Sequence, residues 1–274
     1  MNSYKLALCQ MNVSEDKNKN IEHACEMIKK AASENADIIV LPEMFNCPYQ
    51  NDCFPVYAEE YPGKTTTALS QVAKENNVYI IGGSIPELFD GNIFNTSYAF
   101  DREGNLIAKH QKMHLFDINV EGGVYFMESD TLSPGNQVTV FDTEFGKIGL
   151  AICYDIRFPE LSRLMSLEGA ELIILPAAFN MTTGPAHWEL SIRMRALDNQ
   201  VYFAAAAPAR NTDASYVAYG HSMVSDPWGK IVASTDEKES IIYADIDKDV
   251  IKSVREQLPL LKHRRTDIYD INKF

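Results

Sequence analysis

The chain has 274 residues, of which 46% are hydrophobic and 23% are charged, and this composition is typical of a globular protein that buries a substantial core. Its formal net charge of −13 would repel nucleic-acid phosphates, and no lysine or arginine stripe interleaved with aromatic residues offsets that charge. No apolar run approaches the roughly 18 residues that a membrane span needs. We therefore expect neither nucleic-acid binding nor a membrane-spanning segment.

The N-terminal residues and the cysteines indicate a cellular compartment. The segment MNSYKLALCQMNV lacks the basic start, apolar stretch and cleavage site of an export signal. The cysteines are odd in number and contain no close CxxC pair of the kind that binds zinc or cycles as a dithiol. They are Cys9, Cys25, Cys47, Cys53 and Cys153. We expect reduced thiols and a cytoplasmic protein.

The first part of the chain alternates predicted strands and helices. Apolar residues share one helical face in two stretches, one with Ile21, Ala24, Cys25 and Ile28, the other with Leu69, Val72 and Ala73. Apolar segments between them predict buried strands. These are YKLALC (4–9), ADIIVLPEMFN (36–46) and NNVYIIGGSIP (76–86), and they are followed by the turn DREGNLIA (101–108).

The segment KHQKMHLFDI (109–118) follows the next predicted strand. Lys112 would lie near the sheet edge that carries Glu43, but most lysines are solvated, and Lys109 is an equally good candidate on spacing alone. His110 and His114 have helical metal-ligand spacing, yet they lie in a basic, extended stretch with no carboxylate near in sequence, so we expect no metal. Glu128 falls in a loop that connects two parts of the chain, where it is either functional or exposed.

The second part of the chain begins with KIGLAICYDIRFPEL (147–161). Cys153 lies at the carboxyl end of an apolar strand, where sites form, but a free cysteine is also a common core residue. Pro159 marks the first turn of a helix with Leu161, Leu164 and Leu167 on one face. The later elements are the strand AELIILPAAFN (170–180), a helix with Leu190, Met194 and Leu197, the strand NQVYFAAAAP (199–208), the turn DPWGKIVA (226–233), and the helix DVIKSVREQL after residue 247.

Four segments of the first part recur in the same order in the second. This recurrence indicates two similar halves, about 1–110 and 140–247, within a single domain 1–247. If helices cover one face of the sheet in each half, the uncovered faces of the two sheets would pack against each other. We predict an α/β fold, a four-layer αββα sandwich built from two pseudo-symmetric halves. Residues 248–274 form a helix and tail that pack on the domain or on a partner subunit.

Comparison of the halves separates structural from functional positions. Glu43 corresponds to Ala177, so the fold does not need a carboxylate there, and a buried carboxylate is costly unless it is paired. We favour a functional role for Glu43 over that of a surface or ion-paired glutamate. Cys153, by contrast, corresponds to Cys9, so spacing alone leaves a core thiol and a nucleophile equally open.

Three segments together resemble the signatures of the nitrilase superfamily of carbon–nitrogen hydrolases. They are LPEMF with Glu43, KMHLF with Lys112, and GLAICYDIRFPEL with Cys153. The resemblance covers essentially the whole chain. Further segments resemble the omega-amidase branch, namely TTGPAHWE (182–189), DNQVYFAAAAPAR (198–210) and YGHSMVSDPWG (219–229).

The resemblance implies a Glu43-Lys112-Cys153 site. Glu43 would take the thiol proton of Cys153, helped by the charge of Lys112, and the sulfur would attack an amide carbon. Lys112 and the backbone N–H of Tyr154 would bind the oxyanion, a contribution on the order of 3 kcal/mol per donor. Glu128 would orient Lys112 or the substrate, and no cofactor is implied.

Omega-amidases act on 2-oxoglutaramate and 2-oxosuccinamate, small anions that a protein of charge −13 must hold with a local cation. Arg157 stands where related carbamoyl-amino-acid hydrolases place a carboxylate-binding arginine. A structural pair with Asp155 or Glu160 is the open alternative. Further candidates for the substrate pocket are Tyr49, Phe179 and Thr183.

Three competing functions remain open. One is another amidase of the same family, which would act on deaminated glutathione or on N-carbamoyl amines. The second is a binding or scaffold protein without turnover, and the third is a metal amidohydrolase that uses His110 and His114. The family resemblance and the apolar tail segments also lead us to expect a homo-oligomer, most simply a dimer.

Overall fold

A computed structural model describes residues 2–273 and contains two large sheets. The seven strands of the first sheet are β1 (Ser3–Gln10), β2 (Ile38–Val40), β3 (Tyr79–Ile81), β4 (Ile85–Phe89), β5 (Asn92–Phe100), β6 (Leu106–Gln111) and β15 (Ser240–Asp247). Their order is β15-β1-β2-β3-β5-β4, and β6 pairs with β5. Strands β1, β2 and β3 run parallel.

The second sheet has six strands and the same centre of three parallel strands. Its strands are β9 (Thr139–Thr143), β10 (Gly146–Leu150), β11 (Leu172–Pro176), β12 (Tyr202–Ala206), β13 (Met223–Ser225) and β14 (Ile231–Ser234). They follow one another across the sheet in the order β14-β13-β12-β11-β10-β9, with β10, β11 and β12 parallel. A small hairpin of β7 (Asp117–Asn119) and β8 (Tyr125–Met127) lies outside both sheets.

The helices begin and end at local signals. They are α1 (Lys17–Ser33), α2 (Phe54–Tyr57), α3 (Lys64–Asn76), α4 (Pro159–Leu167), α5 (Gly184–Asn199) and α6 (Lys248–Gln257). The Asp16 side chain accepts the N–H groups of Asn18 and Lys19 and so caps α1. Pro159 opens α4, as predicted, because its missing N–H would have no intrahelical partner there.

Strand periodicity accounts for the layers. Leu6 and Leu8 of β1 face the second sheet, whereas Ala7 and Cys9 face α1 and α3. In β11 the same alternation sends Leu172 and Ile174 to the space between the sheets, and Ile173 and Leu175 toward α4 and α5. Each sheet is therefore covered on both faces, and the predicted αββα sandwich is confirmed.

The predicted apolar face of α5 does not face the core. Leu190, Met194 and Leu197 are 65%, 47% and 40% exposed, whereas Trp188 and Ile192 on the other side are buried. The periodicity predicted the helix correctly. It identified an apolar stripe on the outside of the protein, which we call the α5 stripe and define as Leu190, Met194 and Leu197.

The last strand of the second half belongs to the first sheet. All eight residues of β15 pair antiparallel with β1, from Ser3 opposite Asp247 to Gln10 opposite Ser240. The helix predicted after residue 247 is α6, and Ile251 of α6 contributes to the core between the sheets. The tail contacts its own domain through an ion pair between Lys273 and Glu168, 2.5 Å long. Within residues 2–273, no helix is long and apolar enough to cross a membrane.

Candidate active site

Three predicted site residues meet in a buried charged cluster. The ammonium of Lys112 lies 3.0 Å from Oε1 of Glu43 and 2.9 Å from both carboxylate oxygens of Glu128. All three side chains are essentially inaccessible to solvent. Burying an ammonium is costly unless it is paired, so the two carboxylates keep Lys112 in the interior.

The strand ends position Glu43 and Lys112. Glu43 follows β2 after Leu-Pro, and its Oε2 accepts the backbone N–H of Ala178 at 2.7 Å. Ala178 follows β11, the matching strand of the other half, so the two halves meet at this carboxylate. Lys112 follows β6, where its N–H donates to the carbonyl of Asn95 and the Asn95 amide donates to Glu43 Oε1 at 2.9 Å.

Glu128 is held by a tyrosine and a backbone amide. It begins a single 3-10 turn, Glu128–Asp130, and its Oε2 accepts the N–H of Phe116 at 2.7 Å. The hydroxyl of Tyr49 donates to Oε1 of Glu128 at 2.5 Å and lies 3.3 Å from Oε1 of Glu43. Tyr49 therefore contacts the charged cluster itself. Lys109, the alternative to Lys112 on spacing, instead pairs with Glu87, 3.0 Å away.

Cys153 opens a 3-10 turn, Cys153–Arg157, directly beyond β10. Its φ of 45° is unusual for a residue with a side chain, and such backbone strain is found at functional sites. Burial raises the pKa of the Cys153 thiol well above its ordinary value, the charge of Glu43 adds to the shift, and Lys112 opposes it. At neutral pH the resting side chain is therefore a thiol.

The pKa values of the neighbours explain how a proton can move. Burial raises the pKa of Glu43 above its ordinary value, and the ammonium of Lys112 opposes that shift. Burial lowers the pKa of Lys112, but Glu128 and Glu43 together raise it more, and the net result lies above the ordinary value. Lys112 stays charged while Glu43 is prepared to accept a proton.

The two histidines considered as metal ligands bind one carboxylate. Asp155, two residues after Cys153, lies 3.0 Å from Nε2 of His110 and 2.7 Å from Nδ1 of His114. The second half of the chain therefore supplies the carboxylate that these histidines contact. Burial alone would raise the pKa of Asp155, but the hydrogen bonds from both histidines lower it below its ordinary range.

Arg157 lies beside two of the predicted pocket residues. Its guanidinium stacks 4.9 Å from the centre of the Phe179 ring and 5.7 Å from that of Tyr154, and its Nη1 lies 3.2 Å from Nδ1 of His187. Among residues 2–273, it has neither Asp155 nor Glu160 as an ion-pair partner within 4.0 Å. The Thr183 hydroxyl instead donates to Asn180 at 3.2 Å.

A cavity of about 560 Å³ adjoins Glu43 and is lined by Tyr49, Ala178 and Tyr216, among others. Tyr216 stacks on Tyr49 with ring centres 4.5 Å apart, and its hydroxyl bonds the carbonyl of Ala178 at 2.5 Å. Tyr216, Asn95 and the Ala178 amide were not predicted from the sequence. Only Ala178 had a usable signal, since it follows the counterpart of Glu43 in the repeat.

The fold and the buried cluster define a class of protein: this chain belongs to the carbon-nitrogen hydrolase family, which matches residues 5–256. The omega-amidase NIT2 of Xenopus tropicalis is 52% identical over 273 residues, covering 100% of this chain and 99% of that protein. The omega-amidase NIT2 of Homo sapiens is 50% identical over 271 residues, which cover 99% of this chain and 98% of that protein. The crystal structure of Saccharomyces cerevisiae Nit3, a member of branch 10 of the nitrilase superfamily, superposes with a TM-score of 0.90 at 46% identity over 96% of this chain and 97% of that one.

Proposed function

We propose that this protein is an omega-amidase that hydrolyses the terminal amide of 2-oxoglutaramate and 2-oxosuccinamate to the 2-oxo dicarboxylate and ammonia. The observation that carries the proposal is the combination of full-length relatives named omega-amidase with a buried Glu43-Lys112 pair beside a strand-end cysteine. The family membership already establishes a carbon–nitrogen hydrolase. The substrate and the residue roles are the proposed part.

In the first half-reaction, Glu43 accepts the proton of the Cys153 thiol and the sulfur attacks the amide carbon. The resulting oxyanion lies against the ammonium of Lys112 and the backbone N–H of Tyr154. Glu43 then passes the proton to the departing nitrogen, the C–N bond breaks, and ammonia leaves behind a thioester on Cys153. The raised pKa of Glu43 supports both directions of this transfer.

In the second half-reaction, Glu43 takes a proton from water and the oxygen attacks the thioester carbon. The C–S bond breaks, the carboxylic acid forms, and the sulfur recovers the proton. Glu128 and the Tyr49 hydroxyl hold Lys112 at this site during both half-reactions. Their distances from its ammonium, 2.9 Å and 3.4 Å, support this role.

Arg157 holds the remote carboxylate of the substrate in this proposal. Its guanidinium is confined between the Tyr154 and Phe179 rings and forms no ion pair within the described residues, so its fork is available for an anion. An amide substrate without a carboxylate would gain no affinity from this contact. Thr183 has a bonded hydroxyl and is a weaker candidate for the pocket.

The α5 stripe supports a homodimer. Three exposed apolar side chains on one helix face are unfavourable in water, and a two-fold axis would cover them with the same stripe of a second copy. Glu189 and Arg193, which form an exposed ion pair on the same helix, provide both charges that a self-complementary rim needs.

All five cysteines are free thiols, which supports a cytoplasmic location.

The test compares purified wild type with Cys153→Ala and with Cys9→Ala, the matching position of the other half. Wild type should release ammonia from 2-oxoglutaramate, and Cys153→Ala should lose at least about 10³-fold in kcat. Cys9 is a core residue whose burial raises its thiol pKa to about 12, so Cys9→Ala should keep its activity. Cleavage of deaminated glutathione or a carbamoyl amine in place of both oxo-amides would overturn the substrate, and unchanged activity in Cys153→Ala would overturn the nucleophile.

A further inference from the structure

Asp155 is a buried carboxylate whose hydrogen bonds are not used in the mechanism above. Its Oδ2 accepts the N–H of Ile152 at 3.0 Å and lies 3.0 Å from Nε2 of His110. Its Oδ1 accepts the backbone N–H of His114 at 3.0 Å and lies 2.7 Å from Nδ1 of the same residue. Both oxygens are thus fully engaged, and the side chain is inaccessible to solvent.

These four contacts join two separate segments of the chain. One segment is the nucleophile turn, because Cys153 lies between Ile152, whose amide Asp155 accepts, and Asp155 itself. The other segment contains Lys112 midway between His110 and His114. The first segment extends from the second sheet, and the second segment extends from β6 of the first sheet.

We propose that Asp155 is a positioning residue: its carboxylate fastens the Cys153 turn to the His110–His114 segment and so fixes Lys112 relative to the nucleophile. The sulfur and the ammonium belong to different sheets, so their separation depends on how the sheets meet. Among the residues that the structure describes, Asp155 is the side chain that hydrogen-bonds directly from one segment to the other. This proposal rests on the roles proposed above for Cys153 and Lys112.

An ionised carboxylate suits this position better than an amide. It accepts hydrogen bonds only, so all four donors can point at it, and the lowered pKa of Asp155 keeps it ionised at neutral pH. An asparagine of the same shape would direct its own N–H groups at one pair of donors. The two segments would then move apart, although every residue that touches the substrate would keep its side chain.

The experiment compares Asp155→Asn with Asp37→Asn. Asp37 likewise accepts hydrogen bonds from a backbone N–H, that of Lys5 at 3.0 Å, and from a charged side chain, that of Arg102 at 2.9 Å. It immediately precedes β2, whereas Glu43 of the site follows that strand. A small displacement of reacting groups costs about 100-fold in rate, so Asp155→Asn should lose about that much in kcat while KM changes less than about 3-fold. Asp37→Asn should lower the melting temperature and leave kcat unchanged.

A second readout does not depend on the substrate. Alkylation of Cys153 by iodoacetamide, followed by peptide mass spectrometry, should slow at least about 5-fold in Asp155→Asn, because a more distant Lys112 stabilises the thiolate less. If the wild type did not hydrolyse oxo-amides, the proposed substrate would be wrong. The alkylation rate would still test whether Asp155 fixes Lys112 relative to Cys153. Equal alkylation rates in the wild type and a folded Asp155→Asn variant would overturn the proposal.

Variants of His114 keep the test decisive if Asp155→Asn does not fold. His114→Phe preserves a ring against Phe158, on which His114 stacks at 3.7 Å, but removes the Nδ1 donor. His114→Asn keeps an N–H group near the place of Nδ1. We expect a loss of about 10-fold in kcat for His114→Phe and substantial recovery in His114→Asn, since the donor is what matters. Equal activity in the two variants would contradict a positioning role.

Discussion

At the scale of single residues, the charge of the site depends on one ammonium held between two carboxylates. Lys112 cannot neutralise Glu43 and Glu128 together, and all three are removed from solvent. Burial raises the pKa of both Glu43 and the Cys153 thiol, and the neighbouring carboxylate, Glu128 for Glu43 and Glu43 for Cys153, adds to each shift. In the proposed mechanism, the thiol becomes a nucleophile when Glu43 accepts its proton.

This charge balance predicts the acid side of the pH profile. Glu43 must be ionised to accept the thiol proton, and burial raises its pKa above the ordinary 4.5, so kcat/KM should fall as pH drops through a value higher than 4.5. Because Glu128 also raises the pKa of Glu43, Glu128→Gln should move this midpoint to lower pH. The measurement is kcat/KM for 2-oxoglutaramate between pH 4 and 8; a midpoint that rises in Glu128→Gln would contradict the assignment.

The residues of the site differ in how far the sequence could predict them. Glu43 was distinguishable because the other half has Ala177 at the matching position. Lys112 was not distinguishable from Lys109 by spacing, because the difference between them is that Lys112 is buried against Glu43 and Glu128, 69 and 16 positions away. Asp155 was considered only as a partner of Arg157, because the two histidines that it contacts lie 45 and 41 positions earlier in the chain.

At the scale of elements, the turn after β3 supports the loop that carries Glu43. Gly83 has φ +53°, and a Cβ there would lie 2.1 Å from the carbonyl oxygen of Pro42, the residue before Glu43. A side chain at this position must displace the Leu-Pro-Glu segment. The conformation of a single glycine thus determines where the proposed general base lies.

Gly83→Ala should therefore destabilise the protein by about 2–4 kcal/mol and reduce activity in the folded fraction. Gly91 is the matched control, since its φ is also positive at +75° but a Cβ there would meet nothing within 4 Å. Gly91→Ala should cost about 1 kcal/mol from the backbone conformation alone and leave activity intact. Urea unfolding with parallel kinetics measures both. Equal costs for the two substitutions would show that the contact with Pro42 is unimportant.

The α5 stripe gives a prediction about assembly. Replacing Leu190 and Met194 by Glu would place charges at the centre of the proposed interface, so we expect a dimeric wild type and a monomeric double variant. Val56 on α2 is 77% exposed and lies outside the stripe, so Val56→Glu should leave the mass unchanged. Light scattering at micromolar concentration distinguishes these outcomes, and a dimeric double variant would place the interface elsewhere.

Periodicity predicted α5 but not its orientation. A spacing of three or four residues identifies an apolar face, and the same pattern arises whether that face meets a core or another subunit. The true inner face of α5 contains Trp188, Ile192 and Ala196, along with a buried Asn199 that blurs the pattern. Strands were more predictable, because residues buried on both faces of a sheet form unbroken apolar runs.

At the scale of the whole molecule, the two halves share strands as well as a core. Strand β15 completes the first sheet, and residues from both sheets form the cluster between them. Removing the second half would expose the inner face of the first and leave β1 without β15, one of its two neighbours in the sheet. The halves recognisable in the sequence are thus repeated patterns that form one structural unit.

We therefore expect a single unfolding transition in urea. Both tryptophans, Trp188 and Trp228, belong to the second half and report on it by fluorescence, whereas labelling of the fully buried Cys9 reports on the first. Coincident midpoints for fluorescence, Cys9 labelling and far-ultraviolet circular dichroism are the expected result. Loss of Cys9 protection at a distinctly lower urea concentration would mean that the first half opens independently.

The pairing of β15 with β1 also has a consequence for synthesis on the ribosome. Strand β1 is made first, yet the strand that covers one of its edges is not complete until residue 247 has been translated. For most of elongation, an apolar strand with unpaired N–H and C=O groups is available to other nascent chains. The finished enzyme hides this edge entirely, so the time of greatest aggregation risk is before release, and protection by a chaperone is most valuable then.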